Sequence, residues 1–174
     1  MSMRSLSLVF LLLIVCFGCN REKKMKIVVN DRGERVAKGE YSEQQILDHF
    51  PQFKKNYLSY QPDTTLFAQL KQMSSPVEIV TILGTWCSDS RREVPKFMKL
   101  MDALQNKKIT LSYICVDRTK RDEKGMAEKF NIEYVPTFIV LSDGKEIGRI
   151  IETPEITFEE DLSAIFSSLP ANEK

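Results

Sequence analysis

The hydrophobic residues between positions 77 and 169 alternate between the spacing of strands and that of helices. Residues 77–83 (VEIVTIL) form a nearly continuous apolar run rich in β-branched side chains, which predicts a strand covered on both faces. Residues 109–116 predict a second strand of this kind. Between them, apolar residues recur at intervals of three and four, which predicts a helix with one buried face: Val94, Phe97, Met98, Met101 and Leu104.

The C-terminal third predicts the rest of a mixed sheet. A helix is expected over residues 122–130, followed by a β-hairpin over residues 138–151 that turns at an Asp-Gly pair. Thr157, with Glu160 three residues later, predicts the start of a last amphipathic helix. Strands joined through helices should be parallel and the hairpin antiparallel, so the pattern indicates an α/β fold whose mixed central sheet has helices on both faces.

The N-terminal part of the domain predicts smaller elements. Residues 26–38 predict two short strands around a turn that contains Asn, Asp and Gly. Ser42 with Gln45 forms a capping-box pattern at the start of a helix, which Pro51 is expected to end or bend. Residues 63–73 predict another short helix.

Residues 1–18 have the pattern of an export signal. One positive charge precedes an apolar run (LSLVFLLLIVCF) that is too short for a stable membrane-spanning helix. The Gly18-Cys19 pair resembles the cleavage site of bacterial lipoproteins, although Cys16 and Phe17 depart from that pattern. A conventional signal peptide and an uncleaved anchor are the alternatives.

The lipoprotein interpretation sets the domain boundaries. Cleavage before Cys19 would make this cysteine the lipid-modified N-terminus, and residues 19–25 would be a tether for a domain over residues 26–174. We expect the protein to be periplasmic and held at a membrane by lipid on Cys19.

The charge balance does not indicate a nucleic acid or an anionic membrane surface as a partner. The chain has 25 Lys and Arg against 24 Asp and Glu, and loss of the leader removes one arginine and no acidic residue, which leaves 24 of each. A near-neutral domain gives no reason to expect a nucleic acid partner. The lone histidine, His49, lies in a charged helical segment, and the sequence has no phosphate-binding loop or haem motif. We expect neither a metal nor another cofactor.

Two cysteines remain for the folded domain. Cys87 follows the first covered strand, and Cys115 lies near the end of the second. Exported proteins often pair cysteines, but a bridge requires Cα atoms within about 7 Å. A buried free cysteine is an ordinary core residue. We therefore expect Cys115 to be structural, in preference to a redox role or a bridge to Cys87.

The stretch GTWCSDS, residues 84–90, carries the candidate chemistry. Cys87 is placed at the N-terminus of the following helix, where unpaired N–H groups and the helix dipole favour a thiolate. Arg91 and Arg92 add positive charge nearby, partly opposed by Asp89. Pro95 falls inside the helical pattern and is expected to kink the helix.

These features together resemble the thioredoxin family. The resemblance covers residues 77–169 and rests on Trp86-Cys87 after a strand, Pro95 within the next helix, Val135-Pro136-Thr137 and the Asp-Gly hairpin. It implies a thioredoxin fold, with Cys87 as the nucleophile. It also implies a cis Val135–Pro136 bond that faces the cysteine, in a segment with Thr137 that binds an extended substrate. For Trp86, a packing role and a role in substrate contact are equally open.

Two departures from the family pattern bear on catalysis. Ser90 stands where a second, resolving cysteine is usual, so resolution within the motif is unavailable, although its hydroxyl could donate to the Cys87 thiolate. Thr81 stands where many thioredoxins bury an acidic residue, and Glu78 is expected to face solvent instead of replacing it.

The sequence thus favours thiol–disulfide exchange by an exported, single-thiol protein. Its partners would be protein or peptide thiols and disulfides, with release by an external thiol reductant. The alternative is a thioredoxin-fold binding module for proteins or peptides that has no redox chemistry. Peroxide reduction is disfavoured because Gly84 stands three residues before the cysteine, where peroxiredoxin-like sites have threonine.

Overall fold

The computed structural model describes residues 24–73 and 75–169, so the expected leader, the tether residues 19–23 and Cys19 lie outside the described residues. The strands are β1 (Ile27–Val29), β2 (Arg35–Ala37), β3 (Gly39–Tyr41), β4 (Val77–Leu83), β5 (Ile109–Cys115), β6 (Thr137–Ser142) and β7 (Lys145–Ile151). The helices are α1 (Glu43–His49), α2 (Pro51–Ser59), α3 (Phe67–Lys71), α4 (Ser88–Leu104), α5 (Met126–Lys129) and α6 (Phe158–Phe166).

The central sheet has the strand order β3-β5-β4-β6-β7, and β1 and β2 form a separate antiparallel hairpin. Strands β4 and β5 are parallel, whereas the other neighbouring pairs are antiparallel. This is the predicted thioredoxin fold. The carboxyl ends of β4 and β5 meet at one edge of the sheet, where Leu83 pairs with Cys115.

Strand β4 is covered on both faces, as its composition predicts. Every residue of β4 except Glu78 is buried. On one face, Phe138 packs against Phe97 of α4 and Phe158 of α6, with ring centroids 4.8 and 4.9 Å away. On the other face, Val80 and Ile82 belong to a second apolar cluster with residues of α5 and its flanking loops. The two layers fix the end of β4 from both sides.

Two helices differ from the sequence prediction. Pro51 does end α1, but it also occupies the first turn of α2, where its missing N–H is not needed. Over residues 122–130 only α5 is helical. The reason is Asp122, whose carboxylate accepts hydrogen bonds from the N–H groups of Lys124 (2.8 Å) and Ala127 (2.8 Å) and so folds the preceding residues into a turn.

The unpredicted helix α2 supports α4 at its proline. Pro95 lies inside α4 and has no N–H, so the carbonyl of Arg91, four residues earlier, loses its usual helical donor. The side-chain amide of Asn56 in α2 donates to that carbonyl over 2.7 Å. The carbonyl that Pro95 leaves without a helical donor is therefore paired with a side chain of the neighbouring helix α2.

None of the helices in residues 24–73 and 75–169 is long and apolar enough to cross a membrane.

Candidate active site

The loop between β4 and α4 places Trp86 and Cys87 at the edge of the sheet. A Cβ at Gly84 would approach the indole of Trp86 to 2.7 Å, so only glycine lets the ring fold back over the loop. The indole N–H donates to the carbonyl of Val116 over 3.0 Å. Trp86 is half-buried, so it packs against the loop and still offers surface beside the cysteine.

Cys87 is the N-cap residue of α4, as the sequence predicts. Its N–H donates to the carbonyl of Gly84 over 2.9 Å, and its carbonyl accepts from the N–H of Arg91 over 3.1 Å. Cys87 is half-buried, and its Sγ–H donates to the carbonyl of Val135 over 3.2 Å. The thiol therefore lies at the positive end of a 17-residue helix, within reach of solvent.

Ser90 is fully buried, and its hydroxyl has a structural partner. Its Oγ accepts a hydrogen bond from the N–H of Gly84 over 3.1 Å. The hydrogen bond that Ser90 could donate to the Cys87 sulfur is not seen among the described residues, and the Cys87 thiol donates to Val135. Ser90 thus joins the first turn of α4 to the end of β4.

The segment Val135-Pro136-Thr137 faces Cys87, with a cis Val135–Pro136 bond as the resemblance implies. Thr137 contributes its backbone to the sheet, but its side chain is only 2% exposed and donates to the carbonyl of Tyr134 over 2.8 Å. A bound segment could therefore reach Thr137 only through its backbone. Tyr134, which the sequence did not single out, is 52% exposed and is the accessible side chain of this turn.

Thr81 lies beneath the site with its hydroxyl unpaired. The residue is fully buried in β4, and Oγ1 makes no hydrogen bond with any residue of the described chain. Glu78 is exposed, as predicted, and its carboxylate accepts from Ser112 over 3.4 Å. No carboxylate therefore replaces the buried acid from β4.

The remaining sequence candidates lie away from the thiol chemistry. Cys115 is fully buried and free, and burial raises the pKa of its thiol. This agrees with a structural role and excludes a bridge to Cys87 in this structure. His49 is exposed at the end of α1. In residues 24–73 and 75–169 there is no group of three or more His, Cys, Asp or Glu side chains that could hold a metal.

The β1–β2 hairpin is attached to the active-site loop through Thr85. The N–H of Ala37 donates to Thr85 Oγ1 over 3.0 Å, and Thr85 Oγ1 donates to the carbonyl of Arg35 over 3.3 Å. Immediately after the hairpin, Lys38 pairs with Asp117 at 2.7 Å. One wall of the site is therefore built by residues that precede the central strands.

Arg118, in the loop after β5, is the cation that the sequence reasoning missed. Its guanidinium lies 4.8 Å from the centroid of the Trp86 ring and forms a two-point ion pair with Glu34, in which Nε and Oε2 are 2.7 Å apart. Hydrogen bonding from Arg118 lowers the pKa of Glu34 to about 2. Hydrogen bonding to Glu34, with smaller contributions from the charges of Glu34 and Cys87, raises the pKa of Arg118.

The predicted charges of the first turn of α4 are largely balanced by each other. Arg92 pairs with Asp89 at 2.7 Å and with the buried carboxylate of Glu93 at 2.6 Å. Arg91 Nε donates to the carbonyl of Thr85 over 2.9 Å. These contacts fix the geometry of the loop between β4 and α4. Arg118, by contrast, could not be recognised from the motif, because it is 31 residues away from Cys87 in the sequence.

A cysteine at a helix N-terminus, opposite an X-Pro turn at the edge of a mixed sheet, defines a thioredoxin-fold thiol protein. The thioredoxin family model matches residues 60–164 of this 174-residue chain. The chain therefore belongs to the thioredoxin family, whose partners are protein thiols and disulfides.

Individual relatives agree with this family. A putative thioredoxin-5 of Dictyostelium discoideum is 32% identical over 92 residues, which cover 53% of this chain and 82% of that protein. A thioredoxin-2 of Pyricularia oryzae is 27% identical over 73 residues, which cover 42% of this chain and only 39% of that protein. The crystal structure of an HIV epitope scaffold shares the fold, with a TM-score of 0.55 and 15% identity over 76% of this chain and 94% of the scaffold.

Proposed function

We propose that this protein carries out thiol–disulfide exchange with Cys87 as its single nucleophile. The observation that carries the proposal is the position of Cys87 at the start of α4, partly exposed and 3.2 Å from the Val135 carbonyl, while the residue in the resolving position, Ser90, is a buried serine. The helix terminus favours a thiolate, and the serine provides no second sulfur.

The exchange has two balanced steps. The Cys87 thiolate attacks one sulfur of a disulfide, so a new S–S bond forms and the second sulfur of the substrate leaves as a thiolate, which takes up a proton. An external thiol, such as a small tripeptide thiol or a protein thiol, then attacks the mixed disulfide. The attack falls on the substrate-derived sulfur, so a new S–S bond joins that sulfur to the external thiol and Cys87 leaves as a thiolate. The number of disulfides is conserved, so the cycle suits isomerisation and removal of small thiol adducts.

Bound substrate would contact the surface around the sulfur. Trp86 precedes Cys87 and Tyr134 precedes Val135, and both supply accessible aromatic area. The turn at Val135 and Pro136 supplies backbone groups for an extended segment. Thr137 takes part through its backbone alone, because its side chain is buried.

The direct test is capture of a mixed disulfide. Wild-type protein incubated with a disulfide-bonded peptide should give an adduct at Cys87 that survives without a reducing thiol. Cys87→Ala should give none, and the matched control Cys115→Ala should behave as wild type because Cys115 is buried. Failure of Cys87 to form any adduct would refute the exchange mechanism.

A binding role without redox chemistry is the second candidate. The absence of a carboxylate at Thr81 and of a thiol at Ser90 favours it, because both parts of the resolving step are missing. Cys87→Ser separates the two functions. A binding module would keep its affinity for a captured partner after this substitution, whereas an exchange protein would lose turnover completely.

We further propose that the protein is exported and anchored by lipid on Cys19. Support comes from the leader pattern of residues 1–18 and the Gly18-Cys19 pair. Acyl chains would hold the protein at a membrane through the expected tether. Labelling with a radioactive fatty acid should mark the wild type and leave Cys19→Ala unlabelled; equal labelling of both would contradict the anchor.

A further inference from the structure

The ion pair between Glu34 and Arg118 joins the N-terminal hairpin to the redox site. Glu34 follows the turn of the hairpin, outside the segment that matches the thioredoxin family model, whereas Arg118 follows β5 inside it. The two side chains are 84 residues apart in sequence and share two hydrogen bonds. A bidentate pair fixes the guanidinium in orientation as well as in position.

Arg118 is held against the residue that precedes the nucleophile. Its guanidinium covers the Trp86 ring at 4.8 Å, and Trp86 is itself fixed by its bond to the Val116 carbonyl. Because Trp86 is the residue next to Cys87 in the chain, this contact places the Arg118 charge beside the thiol, and the Cys87 charge makes a small contribution to the raised pKa of Arg118. A change in the net charge of the Glu34–Arg118 pair should therefore change the electrostatic stabilisation of the Cys87 thiolate.

We propose that Glu34 is a positioning residue for Cys87. Glu34 holds Arg118 on Trp86 and offsets the positive charge of Arg118, so the hairpin sets the reactivity of the Cys87 thiol. The inference rests on the proposed exchange function and deepens it. Arg118 stabilises the thiolate, and Glu34 limits that stabilisation. The segment matched by the thioredoxin family model supplies the nucleophile, and the β1–β2 hairpin outside that segment adjusts its reactivity.

The other charged groups near the site do not depend on this pair. They are Asp89, Arg91 and Arg92 from α4, Lys38 and Asp117 beside the hairpin, and Glu133 from the loop before the proline turn. Arg92 is paired with Asp89, and Lys38 with Asp117. Arg91 is bonded to the Thr85 carbonyl. None of these three contacts involves Glu34 or Arg118, so we expect them to contribute a constant background in the variants.

The test measures the rate of Cys87 alkylation by iodoacetamide against pH in the full chain, with mass spectrometry to resolve each cysteine. Glu34→Gln keeps an oxygen acceptor for Arg118 but removes the negative charge, so the midpoint of the profile should fall by about 0.5 to 1 pH unit. The alkylation rate below the midpoint should then rise about 3- to 10-fold. Arg118→Gln leaves Glu34 unbalanced, so the midpoint should rise by a similar amount. The double variant should return close to wild type.

Midpoint shifts of opposite sign in the two single variants, which cancel in the double variant, distinguish this role from simple docking of the hairpin. If the contact were only structural, both single variants would loosen the hairpin and change the profile in the same direction or not at all, which would overturn the inference. Glu146→Gln is the matched control, because Glu146 is also ion-paired with an arginine, Arg149 on β7. Glu146 lies far from the thiol: it pairs with Leu141, which is four residues, or about 13 Å, along β6 from Thr137. Its profile should equal that of wild type.

Failure of the proposed function would look different. If wild-type Cys87 shows no pH-dependent alkylation, the exchange mechanism itself is wrong. If Cys87 reacts as proposed but the two charge variants do not shift in opposite directions, only the role of Glu34 is wrong. Circular dichroism spectra and melting curves of each variant establish that the comparison is made between folded proteins.

Discussion

The side-chain amide of Asn56 donates a 2.7 Å hydrogen bond to the carbonyl of Arg91, the acceptor that Pro95 leaves without a helical donor. A family feature of α4, the internal proline, is thus completed by α2, a helix that precedes the segment matched by the family model. The bond lies one turn from Cys87, so it stabilises the part of α4 that presents the thiol.

Asn56→Ala should lower the free energy of unfolding by about 1 to 2 kcal/mol, because the half-buried carbonyl of Arg91 loses its partner. Urea denaturation of the variant and of Lys55→Ala, an exposed neighbour on α2, measures the difference. In a Pro95→Ala background, a helical N–H again serves Arg91, and the cost of Asn56→Ala should shrink. An equal cost in both backgrounds would contradict the pairing.

Thr81→Val should raise the free energy of unfolding by about 1 kcal/mol. The Thr81 hydroxyl is buried without a partner among the described residues, and valine has nearly the same shape without a polar atom to desolvate. Thr137→Val is the matched control, since its hydroxyl is also buried but bonded to Tyr134. The control should lose stability; if both variants lose it, the Thr81 hydroxyl has a partner in solution.

Stability should fall between about pH 4.5 and pH 7 because of Glu43. Burial, and then the charge of Asp102, raises the pKa of Glu43 from 4.5 to about 7 in the folded protein. The fold therefore favours the protonated acid, and ionisation of Glu43 costs stability as the pH rises through this window. Because Glu43 is only half-buried, solvent screening reduces the expected loss to about 1 kcal/mol.

Glu43→Gln should remove that part of the pH dependence and make the protein more stable than wild type at pH 8. Guanidinium denaturation at pH 5 and pH 8 measures it, with Glu128→Gln, an exposed carboxylate on α5, as the control. A Glu43→Gln profile parallel to wild type would show that the carboxyl titrates normally.

Gly84→Ala should disturb the site through Trp86. The added Cβ would approach the indole to 2.7 Å, so the ring must leave its place beside Cys87 or the loop must move. We expect a loss of about 1 to 3 kcal/mol in stability, with slower alkylation of Cys87. In a Trp86→Ala background the clash is absent, and the same substitution should cost much less.

The sequence predicted those features that depend on local pattern. The covered strand β4, the capped helices and the Asp-Gly turn follow from residue spacing, and the position of Cys87 followed from its place between β4 and α4. Helix α2 was missed because Pro51 reads equally as the end of one helix and the first turn of another. The helix over residues 122–130 was overextended because the competing side-chain bonds of Asp122 are local polar contacts that hydrophobic spacing does not reveal.

The electrostatic part of the site could not be predicted from spacing. Glu34 and Arg118 are brought together by tertiary contacts, the docking of β2 on Thr85 and the pairing of β5 with β4. Both are ordinary surface residue types with no motif around them. The Ser90 hydroxyl likewise gave no sign that it would bond to Gly84 instead of facing the sulfur.

The attachment of the β1–β2 hairpin also implies a local opening that is separate from global unfolding. The hairpin is a two-stranded sheet of its own, held to the site by the Thr85 hydroxyl and by ion pairs at its ends, whereas β3 continues into the five-stranded sheet. Short ribbons with few buried contacts exchange their amide hydrogens through low-energy openings. The Ala37 amide, which is bonded to Thr85 Oγ1, should therefore exchange through a smaller opening free energy than the amides of the five-stranded sheet, and its exchange rate reports how often the hairpin leaves the active-site loop.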